Sequence, residues 1–301
     1  MDALVKAYRG RTVVDGASWS AQLGQVTAVL GPNGAGKTTT IECCEGLRRP
    51  DAGRVRVLGL DPVADAPRLR SRVGVMLQDG GLPTGARAGE VLRLVAALHR
   101  QPVPPPELLA ELGLTDHVRT TVRRLSGGQK QRLALAVAVV GRPTVAFLDE
   151  PTAGLDPQAR LVVWDLVRRL RDDGTAVVLS THLLDEAERL ADRVVVMDRG
   201  QVVADGAPSE LAGGAGWLQF EARPGLDLSG LALVLTAGTC ATEPSPGSYR
   251  VDPAEGTELG PDALAAVTAW CAEQRVMPER LALRRPSLEA VFLELTGREV
   301  R

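Results

Sequence analysis

Lysine is nearly absent from this 301-residue chain: it occurs only at Lys6, Lys37 and Lys130, and arginine supplies the remaining positive charge. Acidic residues almost cancel it, to a formal net charge of -2, which excludes an overall basic footprint for nucleic acid and leaves only local arginine clusters. No nucleic-acid partner is expected. Cysteine is scarce as well. Cys43 and Cys44 are adjacent and Cys240 and Cys271 stand alone, so neither a zinc spacing nor a disulfide framework is present, and the chain reads as a reduced, cytosolic protein. Long apolar runs are missing. The stretch Met1 to Lys6 has no secretory h-region, and the uncharged run from Leu228 to Thr242 is short and broken by Ser, Gly and Thr. The sequence therefore predicts a chain that neither spans a membrane nor is exported.

Apolar residues make up 45% of the chain, enough to fill the cores of a large and a small domain. Within them, Gly31-Pro32-Asn33-Gly34-Ala35-Gly36-Lys37-Thr38-Thr39 fits the pattern G-x-x-x-x-G-K-[ST]. Val26 to Leu30 before it reads as a buried strand and Lys37 to Leu47 after it as a helix. Glycines let such a loop turn tightly and aim N–H groups inward, and the new helix adds its positive end. These residue types suit a phosphate chain: Lys37 reaching the β- and γ-phosphates, the Thr38 hydroxyl on a bridging Mg2+, and Thr39 donating near the α-phosphate.

Other segments gain meaning beside that loop. Thr144 to Glu150 is an apolar strand ending in two carboxylates, which makes Asp149 the expected second Mg2+ partner and Glu150 the group that polarises an attacking water. Leu125-Ser126-Gly127-Gly128-Gln129 runs into an apolar helix, with Ser126 as a natural N-cap and a bare Gly-Gly start that an anion can approach. The strand Val73 to Leu77 ends at Gln78, and Ala176 to Ser180 delivers Thr181-His182, both at carboxyl ends where α/β sheets bind ligands. His99 and His117 lack ligand neighbours at metal spacing and read as surface or packing residues. Tyr8, ahead of the phosphate loop, offers a ring for stacking on adenine, although a tyrosine at a strand end more often packs. Further along, Arg54 to Leu58 reads as a strand and Pro102 to Pro106 as an extended connector between helices Ala88 to Arg100 and Glu107 to Leu112. A helix from Gln158 to Asp172 has core contacts among Leu161, Trp164, Leu166 and Leu170.

In their order and spacing, the phosphate loop, Gln78, Leu125 to Gln129, Asp149-Glu150, Asp156 and His182 together resemble the ATP-binding cassette of ABC transporters. The likeness covers about residues 1–212, with a helical subdomain over about 79–142. It implies a P-loop NTPase of the α/β class: a mixed sheet core, an N-terminal β layer and a helical subdomain. It also implies ATP and Mg2+ as cofactors, and a head-to-tail dimer in which ATP lies between the phosphate loop of one copy and the Ser126-Gly127-Gly128-Gln129 segment of the other. By the same resemblance Tyr8 stacks on adenine, Gln78 senses Mg2+ and water, Asp156 lines the dimer seam and His182 contacts the γ-phosphate. A separate integral membrane permease, gripped through the helical insert at the cytoplasmic face, completes the expected assembly.

Residues 213–301 read as strand, helix, two strands around Ser245-Pro246-Gly247, helix and strand, the order of a small ferredoxin-like α+β domain. No polar constellation in it points to a pocket, so a buttress or dimer clamp is the expectation. The closing stretch Pro286 to Gly297 resembles the tail of drug and antibiotic exporter ATPases of the daunorubicin-resistance, ABC-2 type. The expected function is therefore ATP hydrolysis that powers export of a drug, antibiotic or other hydrophobic compound. The tail alone carries the direction. The ATPase of an importer, or a non-transport cassette driving a membrane or cell-envelope complex, stays open at this point. A soluble translation factor normally carries two cassettes, and Pro102 to Pro106 make the coiled coil of a chromosome ATPase untenable.

Overall fold

Val26–Leu30, Val145–Asp149 and Ala176–Thr181 are buried at every position, the pattern of parallel strands covered on both faces. The computed structural model describes residues 1–77, 81–213, 216–235, 238–254, 256–284 and 288–296. Two compact units emerge, one built from Met1–Leu211 and the other from Ala212–Glu294.

The first unit runs β1 (Asp2–Tyr8), β2 (Arg11–Ala17), β3 (Val26–Leu30), α1 (Lys37–Glu45), β4 (Ala52–Arg54), α2 (Ala66–Leu69), β5 (Val73–Met76), α3 (Ala88–Ala96) and α4 (Pro105–Glu111). It continues through α5 (Gly127–Val139), β6 (Val145–Asp149), α6 (Pro157–Asp172), β7 (Ala176–Thr181), α7 (Leu184–Leu190), β8 (Arg193–Asp198), β9 (Gln201–Gly206) and α8 (Pro208–Leu211). Six strands form the central sheet in the order β5-β6-β7-β3-β8-β9, parallel except for β9. A second, antiparallel sheet has the order β2-β1-β4. Ile41, Cys43 and Cys44 of α1 share one buried cluster with Leu4 and Val14 of the small sheet and Val29, Phe147 and Val178 of the large one. The helix that starts at the phosphate loop is thus fixed between two sheets. Register then sets the level of the strand ends, because Asp149 pairs with Ser180 and Leu30 with Thr181.

Two local expectations need correction. Val55 and Val57 are buried, but residues 55–60 form only an isolated bridge between Val57 and Leu60, because Leu58 turns left-handed (φ 51°) and folds the segment back. Pro105 and Pro106 belong to the first turn of α4, where a missing N–H costs nothing, rather than to an extended connector. On α6 the core contacts among the four candidates are Trp164, Leu166 and Leu170, all buried, and Leu161 is exposed.

The second unit runs β10 (Trp217–Glu221), α9 (Ser229–Val234), β11 (Cys240–Ser245), β12 (Ser248–Asp252), α10 (Pro261–Glu273) and β13 (Glu279–Arg284). Its strands pair antiparallel in the order β11-β12-β10-β13, the ferredoxin-like arrangement. Phe220 and Tyr249 stack at 5.1 Å between centroids within a core that also holds Val251, Val267 and Trp270. The described chain closes with α11 (Leu288–Thr296); Pro286, Ser287 and Gly297 of the exporter-like tail lie outside the described residues. Among the described residues no helix is long and apolar enough to cross a membrane. Cys43, Cys44, Cys240 and Cys271 are all free thiols.

Close packing of α5 on β5 gives a direct test. A Cβ on Gly74 would lie 2.0 Å from the Ala138 carbonyl oxygen. Gly74→Ala is expected to destabilise the first unit by about 1–3 kcal/mol, read from urea unfolding, because backbone on both sides has to separate. Unchanged stability would show that α5 is not held at this distance.

Candidate active site

Gly31 follows β3 directly, and a Cβ there would sit 2.3 Å from the Met197 carbonyl oxygen; Gly36 has φ 100°, and its Cβ would sit 2.8 Å from the Val13 carbonyl. Only glycine lets the loop lie against β2 and β8 in this way. Gly36 is also the N-cap of α1 and no side chain caps the helix, whose first backbone bond runs from Thr40 N–H to the Gly36 carbonyl. The N–H groups of the first turn are left to face a ligand. Lys37 is only 6% exposed, and its ammonium donates to the carbonyls of Gly31 (2.7 Å) and Pro32 (3.2 Å). Burial lowers its pKa, while the charges of Glu150 and Asp149 oppose that shift.

Asp149 ends β6 and is 4% exposed. Its carboxylate accepts from the Ser180 hydroxyl across the strand pair and from Thr38. Burial raises its pKa against these hydrogen bonds and the Lys37 charge. Glu150 leaves the strand with a left-handed backbone (φ 49°), an unusual conformation for a residue with a side chain. That turn is fixed at both ends. Its N–H donates to Ser180, and its carbonyl accepts from Gln131 Nε2 at 2.7 Å. His182 follows β7 and its Nδ1 lies 3.2 Å from Glu150 Oε1. An ionised carboxylate only accepts, so Nδ1 carries the proton and Nε2 is left for another partner.

The remaining candidates sit where their local chemistry places them. Ser126 caps α5 in a reciprocal box: its hydroxyl accepts from Gln129 N–H, and Gln129 Oε1 accepts from Ser126 N–H. Space beside Gly127 is open, whereas Gly128 packs on Leu155. Asp156 caps α6 by accepting from Ala159 N–H at 2.9 Å. Tyr8 is 37% exposed, with the Lys6 and Arg48 cations 5.5 and 5.9 Å from its ring centre. Gln78 lies outside the described residues. Pro32, Asn33, Gly34, Ala35 and Thr39 complete the loop and first helical turn.

The sequence profile described as ABC transporter matches residues 14–153. Over its full length the chain is 40% identical to the daunorubicin resistance ATP-binding protein DrrA3 of Streptomyces coeruleorubidus, covering 96% of that protein. It belongs to the ABC transporter family. The Nod factor export ATP-binding protein I of Ralstonia nicotianae is 38% identical, covering 100% of this chain and 94% of that one. A solved ATP-binding subunit of an ABC transporter superposes with a TM-score of 0.64 at 30% identity, over 70% of this chain and 90% of its own. This ABC chain is therefore a transporter's ATP-binding subunit, an ATPase that converts ATP and water to ADP and phosphate in support of transport.

Several residues of the ABC site escaped the sequence motifs. Ser180 and Gln131 brace Asp149 and Glu150, and no spacing rule singles them out. His117, read as an ordinary histidine, lies 2.8 Å from Gln129 Nε2 and backs the helix start at Ser126. Glu45, at the far end of α1, has a buried Oε1 with no partner among the described residues, and burial with the nearby Asp149 charge pushes its pKa up to about 8. Folded Glu45 holds a proton that the unfolded chain has lost between its ordinary 4.5 and about 8, so it makes stability fall as pH rises through that window. Glu45→Gln is expected to make that decline shallower in urea unfolding curves; an unchanged slope would contradict the burial of this carboxyl.

Proposed function

We propose that this chain powers export of a drug, antibiotic or other hydrophobic compound through a separate membrane permease, acting at the cytoplasmic face. The hydrolytic part rests on one observation: Lys37, Asp149, Glu150 and His182 meet at the level carboxyl ends of three adjacent strands, β3, β6 and β7. The outward direction is supported by full-length likeness to proteins named for daunorubicin resistance and for Nod factor export. In this reading residues 1–212 are the cassette, about 79–142 its helical subdomain, and 213–301 an accessory unit that buttresses or clamps the dimer.

Phosphoryl transfer needs positioned charge more than covalent help. Lys37 and the amides of Gly34, Gly36, Lys37, Thr38 and Thr39 hold the phosphate oxygens, while the Ala35 N–H donates to the Pro32 carbonyl within the loop. The Thr38 hydroxyl and Asp149 carboxylate are hard oxygen donors already in contact, which suits Mg2+. When bound, Mg2+ neutralises charge on the β- and γ-phosphates. Gln78 is the residue assigned to sensing Mg2+ and water by family resemblance. Glu150 takes the proton of the attacking water, and His182, oriented by Glu150 through Nδ1, serves the γ-phosphate with Nε2. Tyr8 stacks on adenine.

The exposed start of α5 at Ser126 and Gly127 is the surface that a second copy's nucleotide meets, with Gly128, Gln129 and Asp156 along the seam. Closure of the head-to-tail dimer is then coupled to ATP binding, and hydrolysis releases it. Glu150→Gln is expected to bind ATP normally, to hydrolyse it at least about a hundredfold more slowly, and to elute as a dimer with ATP present. Near-normal turnover in this variant would remove Glu150 from the reaction.

A further inference from the structure

Glu186 is 0% exposed, yet it belongs to none of the nucleotide-binding motifs. It projects from α7, and its Oε1 accepts from the Thr152 hydroxyl at 2.9 Å and from Trp164 Nε1 at 3.0 Å. A hydrogen bond from Thr181 also favours its charged form, against the burial that raises its pKa. Both threonines are themselves buried, at 1% and 2% exposed. The three donors come from three different segments. Thr152 lies in the loop that leads from Glu150 to Asp156, Thr181 immediately precedes His182, and Trp164 belongs to the helix that Asp156 caps.

A buried carboxylate is costly, and an apolar side chain would pack here without that cost. One oxygen, Oε1, takes both the Thr152 hydroxyl and the Trp164 indole, while the buried Oε2 has no hydrogen-bond partner among the described residues; replacing the carboxylate by an apolar group would leave the hydroxyl and indole donors buried and unpaired. The loop it holds also carries the left-handed backbone of Glu150, a conformation that persists only when its surroundings fix it.

We infer that Glu186 is a positioning residue for hydrolysis, joining the 150–156 loop to the Thr181-His182 turn so that Glu150 and His182 keep their relation. This rests on the roles given above to Glu150 and His182. Glu186 acts through Thr152 and Thr181 and hydrogen-bonds to no residue of the phosphate loop, so its loss falls on turnover and spares nucleotide binding.

The test compares steady-state ATP hydrolysis and ATP binding in the full chain with Glu186→Leu, Thr152→Val and Thr152→Ser. Glu186→Leu and Thr152→Val are expected to lower kcat at least about tenfold, with KM for ATP within about twofold of the parent. Thr152→Ser keeps the hydroxyl and is expected to retain kcat within about twofold. The double variant Glu186→Leu with Thr152→Val should lose no more than the worse single one, since both break the same link. Normal kcat in both Glu186→Leu and Thr152→Val overturns the inference, as does a Thr152→Ser variant as slow as Thr152→Val, or a loss carried by KM. Glu150→Gln run alongside separates the two readings: full activity in it defeats the assignment of Glu150, whereas a slow Glu150→Gln beside normal Glu186 and Thr152 variants defeats only the positioning role.

Discussion

Lys37, Asp149 and Glu186 are all buried, and a charge taken out of water persists only where other groups replace its hydration. Each finds those groups on a different part of the chain. Loop carbonyls hold the Lys37 ammonium, Ser180 and Thr38 hold the Asp149 carboxylate, and Thr152, Trp164 and Thr181 hold Glu186. Because the partners lie on neighbouring strands and loops, the charges are tolerable only when β6, β7 and β3 are in register. The sheet and the site are therefore one problem: the pairing that sets Asp149 opposite Ser180 also brings the phosphate loop, the acidic pair and His182 to one level.

The legible part of this arrangement is the part whose chemistry is local. The phosphate loop identifies itself because Gly31, Gly36, Lys37 and Thr38 act within one turn of chain, and Ser126 caps its helix through a residue three positions away. The ferredoxin-like order of the second unit was also readable, since its strands and helices alternate with clear turns. Ser180, Gln131 and Glu186 were not readable, because their partners are 31, 19 and 34 residues distant and only the fold brings them together. The same limit explains two misreadings. Val55 and Val57 carry a strand-like alternation but are held by a turn, and Pro105 and Pro106 look like breakers until their place at a helix start is known. The strand order, with β7 between β6 and β3, has no local signature either.

One loop links the two halves of the chemistry. Residues 150–156 run from Glu150 to Asp156, and α5 touches that loop twice, through Gly128 against Leu155 and through Gln131 to the Glu150 carbonyl. The helix start at Ser126 and Gly127 is thus attached to the loop that carries Glu150. In the proposed head-to-tail dimer this attachment couples each site to the other, which fits an engine whose closure and hydrolysis alternate.

The central claim is that this ATPase works on a membrane permease, and the most direct measurement is recovery of its partner. Tagged Glu150→Gln protein, held with ATP, is purified from detergent-solubilised native membranes, and the co-purifying proteins are identified and quantified. The account predicts a stoichiometric polytopic membrane protein. Recovery of ribosomes, nucleic acid or soluble proteins alone would contradict it.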